Sequence, residues 1–230
     1  MRNWIIIALL MSLTFGAKAG DFELDLEHFT SVKTGGSFKL TLQKGEVEKA
    51  QVRNNDEDVD DEEVLIEVVR DELRVKLKND TYKERKIEIV ITYIDLDLVT
   101  AKKGCQLVMS GVIDKDTIQF EAESGGKIKA ELNTKKVSAS ISAGGSIHLS
   151  GTTAEAEYNV TAGGTIATIS LAAAKVAATV KAGGEIICTV EDELNIKITS
   201  GGNVSYYGEP KGYEEKITLG GKITKMNKTQ

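Results

Sequence analysis

Beyond residue 20, apolar and polar residues alternate with a period of two along much of the chain, and from about Gly104 glycine pairs punctuate the alternation at regular intervals. The pairs are Gly125-Gly126, Gly144-Gly145, Gly163-Gly164, Gly183-Gly184, Gly201-Gly202 and Gly220-Gly221, spaced by 19, 19, 20, 18 and 19 residues. Two residues after each pair stands a β-branched apolar residue: Ile128, Ile147, Ile166, Ile186, Val204 and Ile223. Three residues before each pair runs a second column: Ala122, Ile141, Val160, Val180, Ile198 and Ile217. Columns that keep register through six copies mark stacked structural units.

Within each copy the period is two, as in Val137-x-Ala139-x-Ile141, Val176-x-Ala178-x-Val180 and Leu194-x-Ile196-x-Ile198, which predicts strands rather than helices. A unit of this length holds two or three short strands joined by tight turns, and glycine supplies the backbone angles that such turns require. One coil cannot bury its own apolar face. Coils stacked at about 4.8 Å pair each strand in parallel with its equivalents above and below, and the Ile/Val columns become an axial core. The prediction is an all-β chain: a right-handed parallel β-helix, or β-solenoid, with coils of about 19 residues over 100–230. A leucine-rich repeat would need Leu-x-x-Leu-x-Leu with an Asn or Cys ladder, and both are missing. A left-handed hexapeptide helix needs a step of six. Ile141 to Ile147 keeps that step, and Val137 to Ile141 breaks it. Pro210, the single proline, suits a chain whose strands are paired on both sides.

Residues 20–99 carry longer, hairpin-like runs: Phe38-x-Leu40-x-Leu42, Val47 to Val52, Val64 to Val69, Leu73-x-Val75-x-Leu77 and Ile87-x-Ile89-x-Ile91. Arg70-Asp71-Glu72 separates two of them as an antiparallel turn would. This region is expected to be a β-rich N-terminal cap over the first coil, because an open end exposes apolar surface and strand edges. At the other end, Lys222, Lys225 and Lys228 are expected to blunt the edge.

The first residues change the picture. Arg2, an apolar run from Trp4 to Leu13, and Ala17-Lys18-Ala19 before Gly20 form a signal peptide over 1–19. Gly20 follows the cut with no cysteine nearby to be acylated, and no second apolar stretch is of spanning length, so no transmembrane segment is expected in the mature chain. Loss of Arg2 and Lys18 takes the formal charge from −6 to −8, which argues against a nucleic acid or an anionic membrane surface as partner. The two cysteines, Cys105 and Cys188, match no metal spacing; two buried small apolar residues are the expectation, and a disulfide the alternative that export allows.

The recurrent Ser/Ala-Gly-Gly steps, the run Ser200-Gly201-Gly202-Asn203-Val204-Ser205-Tyr206-Tyr207-Gly208-Glu209-Pro210, and the opening Phe29 to Val32 together resemble the head GIN domain family of auto-transporter adhesins. The resemblance covers nearly all of the mature chain, and its most specific piece is Gly-x-Val-x-Tyr-Tyr-Gly-x-Pro. It implies a right-handed β-solenoid on an exported protein of the kind common in Bacteroidetes-type bacteria, with a role in adhesion. An auto-transporter would also carry a C-terminal barrel of alternating ten-residue strands with aromatic girdles. Here the residues end in Met226-Asn227-Lys228-Thr229-Gln230, and no barrel is expected.

Candidate chemistry is sparse. Asp56, Asp58 and Asp60 alternate as in a calcium loop, with Glu67 at the bidentate position, but Asp61 stands where the loop needs glycine. A solvated hairpin loop is the expectation, with calcium a weak candidate. His28 and His148 are the only histidines, so neither a zinc site nor a histidine-dependent triad is expected, and no cofactor is called for. His148 should point outward. Glu121 and Glu123 should share one face, as polysaccharide-cleaving β-helices require of their acids, but a solvated strand edge explains them equally, and no insertion builds a cleft. Outward positions are assigned to Ser138, Ser140, Thr152, Thr153, Thr161 and Thr168. Tyr206, Tyr207 and Tyr213 form the best binding candidate; adjacent Tyr206 and Tyr207 must face opposite sides, and the cluster can also cap the last coil. The sequence therefore predicts a non-enzymatic binding or adhesion module, in the periplasm or at the cell surface, whose partner is a glycan or protein. A periplasmic structural or scaffolding protein that self-associates as a homo-oligomer is the alternative; a carbohydrate-active enzyme ranks last.

Overall fold

The computed structural model describes residues 21–78 and 85–227; the signal peptide and Lys228 lie outside them. Among the described residues, sixteen strands make one continuous sheet. The first eight are β1 (Asp21–Asp25), β2 (Ser31–Gly35), β3 (Lys39–Lys44), β4 (Lys49–Asn54), β5 (Val64–Val69), β6 (Glu72–Leu77), β7 (Ile87–Tyr93) and β8 (Leu98–Lys102). Five long strands follow, each wrapping a corner: β9 (Gln106–Glu123), β10 (Lys127–Ser142), β11 (Ser146–Ala162), β12 (Thr165–Ala182) and β13 (Glu185–Ser200). The last are β14 (Asn203–Tyr207), β15 (Gly212–Leu219) and β16 (Lys222–Met226).

The long strands stack in parallel, with Ile128 beside Ile147, Ile147 beside Ile166 and Ile166 beside Ile186. The chain is an all-β solenoid with coils of about 19 residues, as the glycine spacing predicts. Each coil contributes its first half to one wall and its second half to the facing wall. The first wall runs β7, β3, β9, β10, β11, β12, β13, β14, β16. The second runs β6, β2, β8, then the second halves of β9 to β13, and ends in β15.

The N-terminal region joins this stack rather than lying across it. β2 and β3 form a coil wedged between β6–β7 on one side and β8–β9 on the other, all parallel. Among the described residues only β5 on β6, β4 on β7 and β1 on β4 pair antiparallel, and these three strands cover the N-terminal end. Arg70 and Asp71, at φ 53° and 62°, make the two-residue hairpin between β5 and β6, the sense of turn that matches strand twist.

The core lies between the walls. Both Ile/Val columns are buried through Val204 and Ile198. A third inward column alternates large and small, Phe120, Ala139, Tyr158, Ala178 and Ile196, all buried; each alanine leaves space for the ring of a neighbouring rung, which is how close packing is kept without strain. Thr153 and Thr168, expected outside, are buried. Both are in phase with an inward residue of their own strand, Thr153 six residues after Ile147 and Thr168 two after Ile166, and their hydroxyls donate to the carbonyls of Glu155 at 3.1 Å and Ile187 at 3.3 Å. A buried threonine is tolerated when its hydroxyl is satisfied in this way. Cys105 and Cys188 are both buried and free, with burial pushing their thiols up to about 12.

The glycine turns set the coil-to-coil contact. At Gly164, φ is +101°, and a Cβ would meet Ile141 Cγ2 at 2.6 Å and the Gly145 carbonyl at 2.9 Å. At Gly163, φ is +68° and a Cβ would meet nothing within 4 Å. Gly164→Ala should therefore cost about 2–4 kcal/mol, through overpacking and backbone strain together. Gly163→Asn should cost less than about 1 kcal/mol, because asparagine tolerates the left-handed region. Thermal or denaturant unfolding of the two variants checks the contrast, and equal losses would contradict it.

Candidate binding surface

Register places the outward side chains of the second wall in rows, one residue per coil. One row, Lys136, Glu155, Lys175, Glu193, alternates in sign, and Lys175 Nζ reaches Glu193 at 2.9 Å. The next row is Ser138, Glu157, Ala177, Asn195, Glu214, and the next Ser140, Asn159, Thr179, Lys197. Where these rows meet the corner they form a shallow trough of about 550 Å³, bordered by Lys136, Glu155, Lys175 and Glu193 and ending at Tyr213 and Glu214. Ala177, small and exposed, lies on its floor. Asn195 Nδ2 donates to Glu214 at 3.1 Å beside it. A second depression on the same wall, about 420 Å³, takes in Glu121, Glu123, Ser140, Asn159, Thr161 and Lys181.

The wall is thus flat, polar and repeated at about 4.8 Å. It can present hydrogen-bond donors and acceptors in rows, held by strands paired on both sides. Glu121 and Glu123 do share this face. Glu121 accepts from the Thr100 hydroxyl at 3.3 Å, and Glu123 pairs with Lys102 at 2.6 Å, so both are occupied by cross-strand partners. The row of alternating charge escapes sequence inspection, because it emerges only once residues 18 to 20 apart are set side by side.

The tyrosines divide. Tyr206 is inward and buried, Tyr207 is on the opposite, outer side, and Tyr213 is 42% exposed. The rings of Tyr206 and Tyr213 lie 5.9 Å apart and tilted by 34°, a favourable aromatic contact. Tyr213 follows Leu194 in an inward column but sits on the last rung of its wall, and its hydroxyl donates to Glu215. Tyr213 therefore both caps the coil and borders the trough, and Tyr207 lies away from them on the first wall.

The acidic loop is internally bonded. Asn54 Nδ2 donates to the Val59 carbonyl at 2.7 Å and to Asp61 at 2.8 Å. Asp56 accepts from the Lys86 amide at 2.9 Å and faces the Arg85 guanidinium at 3.6 Å. Arginine thus occupies the position a cation would take at Asp56, and Asp58 lies 3.9 Å from the same group. Among the described residues no three acidic, histidine or cysteine side chains gather to hold a metal. His148 is exposed on the first wall. His28 Nδ1 lies 3.1 Å from the buried carboxylate of Glu48, which also accepts from the Phe29 amide at 3.4 Å, an anchor for the segment entering β2.

A sequence-family model described as "Putative auto-transporter adhesin, head GIN domain" matches residues 28–210. Solved structures share the fold at low identity. A Bacteroides fragilis protein described as a putative adhesin aligns with TM-score 0.78 at 19% identity, over 90% of this chain and 96% of that one. A Parabacteroides merdae protein with the same description gives 0.70 at 18%, and a Parabacteroides distasonis protein described as a putative lipid binding protein gives 0.68 at 17%, both over 90% of this chain and 96% of theirs. No curated protein matches the chain.

The Tyr213 phenol is held above the ordinary tyrosine range, first by desolvation and then by Glu215. A raised folded-state value gives stability that is fully present below the unfolded value near 10 and is lost as pH rises from there through the higher folded-state value. Glu215→Gln should bring Tyr213 ionisation to lower pH. Ultraviolet difference titration of wild type against the variant reads this directly, and superimposable curves would refute it.

Proposed function

The chain belongs to the head GIN domain family, and we propose that it is an exported, non-catalytic adhesion module that holds a glycan along the outer face of its second wall. The observation that carries this reading is the trough with Ala177 on its floor, bordered on one side by the alternating row Lys136, Glu155, Lys175 and Glu193 and lined beside Ala177 by Glu157, Asn195 and Glu214. Its walls offer carboxylates, amides and ammonium groups at fixed intervals. Polyhydroxylated rings are recognised by such rows of hydrogen-bond donors and acceptors.

Rigidity favours the same function. A surface whose strands are paired on both sides loses little conformational freedom on binding, so weak polar contacts repeated over several coils add up. Adhesion needs that kind of summation and needs no reacting group. Export follows from the signal peptide at 1–19.

Wild-type protein should be captured by an immobilised glycan panel, and Ala177→Arg, which fills the trough floor from an exposed position, should weaken capture at least ~10-fold with an unchanged melting temperature. Equal capture by the variant, or no capture by wild type, refutes the trough as the site. Protease treatment of intact cells should cleave the protein while a periplasmic control survives; its protection would remove adhesion to outside partners.

A further inference from the structure

The C-terminal end of the solenoid is a step. β15 pairs with β13 and has no described strand on its other side, and β16 pairs with β14 and likewise has none. Because β14 and β15 belong to one coil, β16 stands proud of β15 by part of a turn. The end also carries exposed apolar side chains, with Ile217 at 42%, Leu219 at 71% and Met226 at 38%. Two charges stand in inward columns: Glu215 follows Ile196, and Lys225 follows Tyr206. In the single chain Glu215 accepts from Tyr213 and Lys225 pairs with Glu209.

A stepped end is complementary to itself under one operation. A two-fold axis parallel to the strands and perpendicular to the solenoid axis exchanges the two walls, so the proud β16 of each molecule fills the recess above β15 of the other, and both gaps close together. The strands meet antiparallel. The register that sets Glu215 against Lys225 of the partner subunit also sets Ile217 against Ile223 of the partner subunit, since both pairs are two residues apart on their strands and run in opposite order. The outward residues in that register are Glu214 against Met226, Lys216 against Thr224 and Thr218 against Lys222, with no like charges opposed. We infer that this end docks a second copy of the chain, tail to tail, through two antiparallel β15–β16 pairings sealed by an inward Glu215–Lys225 pair and an Ile217–Ile223 contact. Edge addition supplies the backbone hydrogen bonds and the inward charges supply the register. A two-fold contact closes, so the assembly stops at two.

Sedimentation should show the mature wild-type protein at twice the monomer mass. Glu215→Lys and Lys225→Glu, each of which opposes like charges across both pairings, should weaken the dimer at least ~10-fold. The double exchange E215K/K225E should restore it. Mixing chains carrying Ile217→Cys with chains carrying Ile223→Cys should give a disulfide-linked heterodimer under oxidation, because facing residues of an antiparallel pair lie within disulfide reach. A monomeric wild type, single variants that remain dimeric, a double exchange that stays monomeric, or a mixture that fails to cross-link would each overturn the inference.

Discussion

The contact on which this structure depends is the one that each glycine pair makes with the coil before it. The carbonyl of Gly145 accepts from the Thr165 amide at 3.1 Å, that of Gly164 from Glu185 at 2.9 Å and that of Gly184 from Asn203 at 2.9 Å. At the same place the second glycine of a pair lies against the inward column of the previous coil: Gly164 on Ile141, Gly184 on Val160, Gly202 on Val180. A hydrogen bond and an apolar contact therefore fix the same register. Period-two strands alone could slip by two residues and still bury an apolar face. The glycine step removes that freedom at every rung.

With register fixed, stability and recognition separate onto the two faces of each strand. Inward residues are constrained by neighbours on both sides; the alternation of Phe120, Ala139, Tyr158 and Ala178 shows how far, since ring size on one rung dictates an alanine on the next. Outward residues are constrained only by the row they stand in. The row of alternating charge Lys136, Glu155, Lys175 and Glu193 adds modest cross-strand attraction while leaving the chemistry of the wall free to vary.

Much of this was legible in the sequence, because a repeat writes each constraint several times. The coil length, the inward columns and the opposite facing of Tyr206 and Tyr207 all follow from period and spacing. Other features did not follow, for specific reasons. Val32 and Leu40 carry the same alternation as any strand, but nothing in it says that β3 lies between Ile89 of β7 and Leu107 of β9; period two identifies a strand's faces and is silent about its neighbours. Thr153 and Thr168 stand in phase with the inward Ile147 and Ile166; it was their polar side chains, not their place in the alternation, that pointed outside. The trough was hidden because its lining comes from residues 18 to 20 apart in the chain, and Ala177 on its floor is a residue type that carries no chemical signal of its own.

The two ends of the array pose different physical problems, and the chain answers them differently. At the N-terminal end, three strands reverse direction. β5 and β4 cover the outermost parallel strands, and β1 then covers β4, with Lys49 Nζ and Gln51 Nε2 bound to Glu23 at 3.2 Å and 2.7 Å across that last pair. Reversal ends the stack, since an antiparallel strand cannot be followed by another copy of the same coil in register. At the C-terminal end the strands remain parallel to the last described rung, and the inward column changes character instead, from Ile196 to Glu215 and from Tyr206 to Lys225. A charge in a core column blocks indiscriminate stacking, because any apolar coil laid over it would strip water from a charged group without offering it an opposite charge. It admits only a surface that brings the opposite charge to the same place.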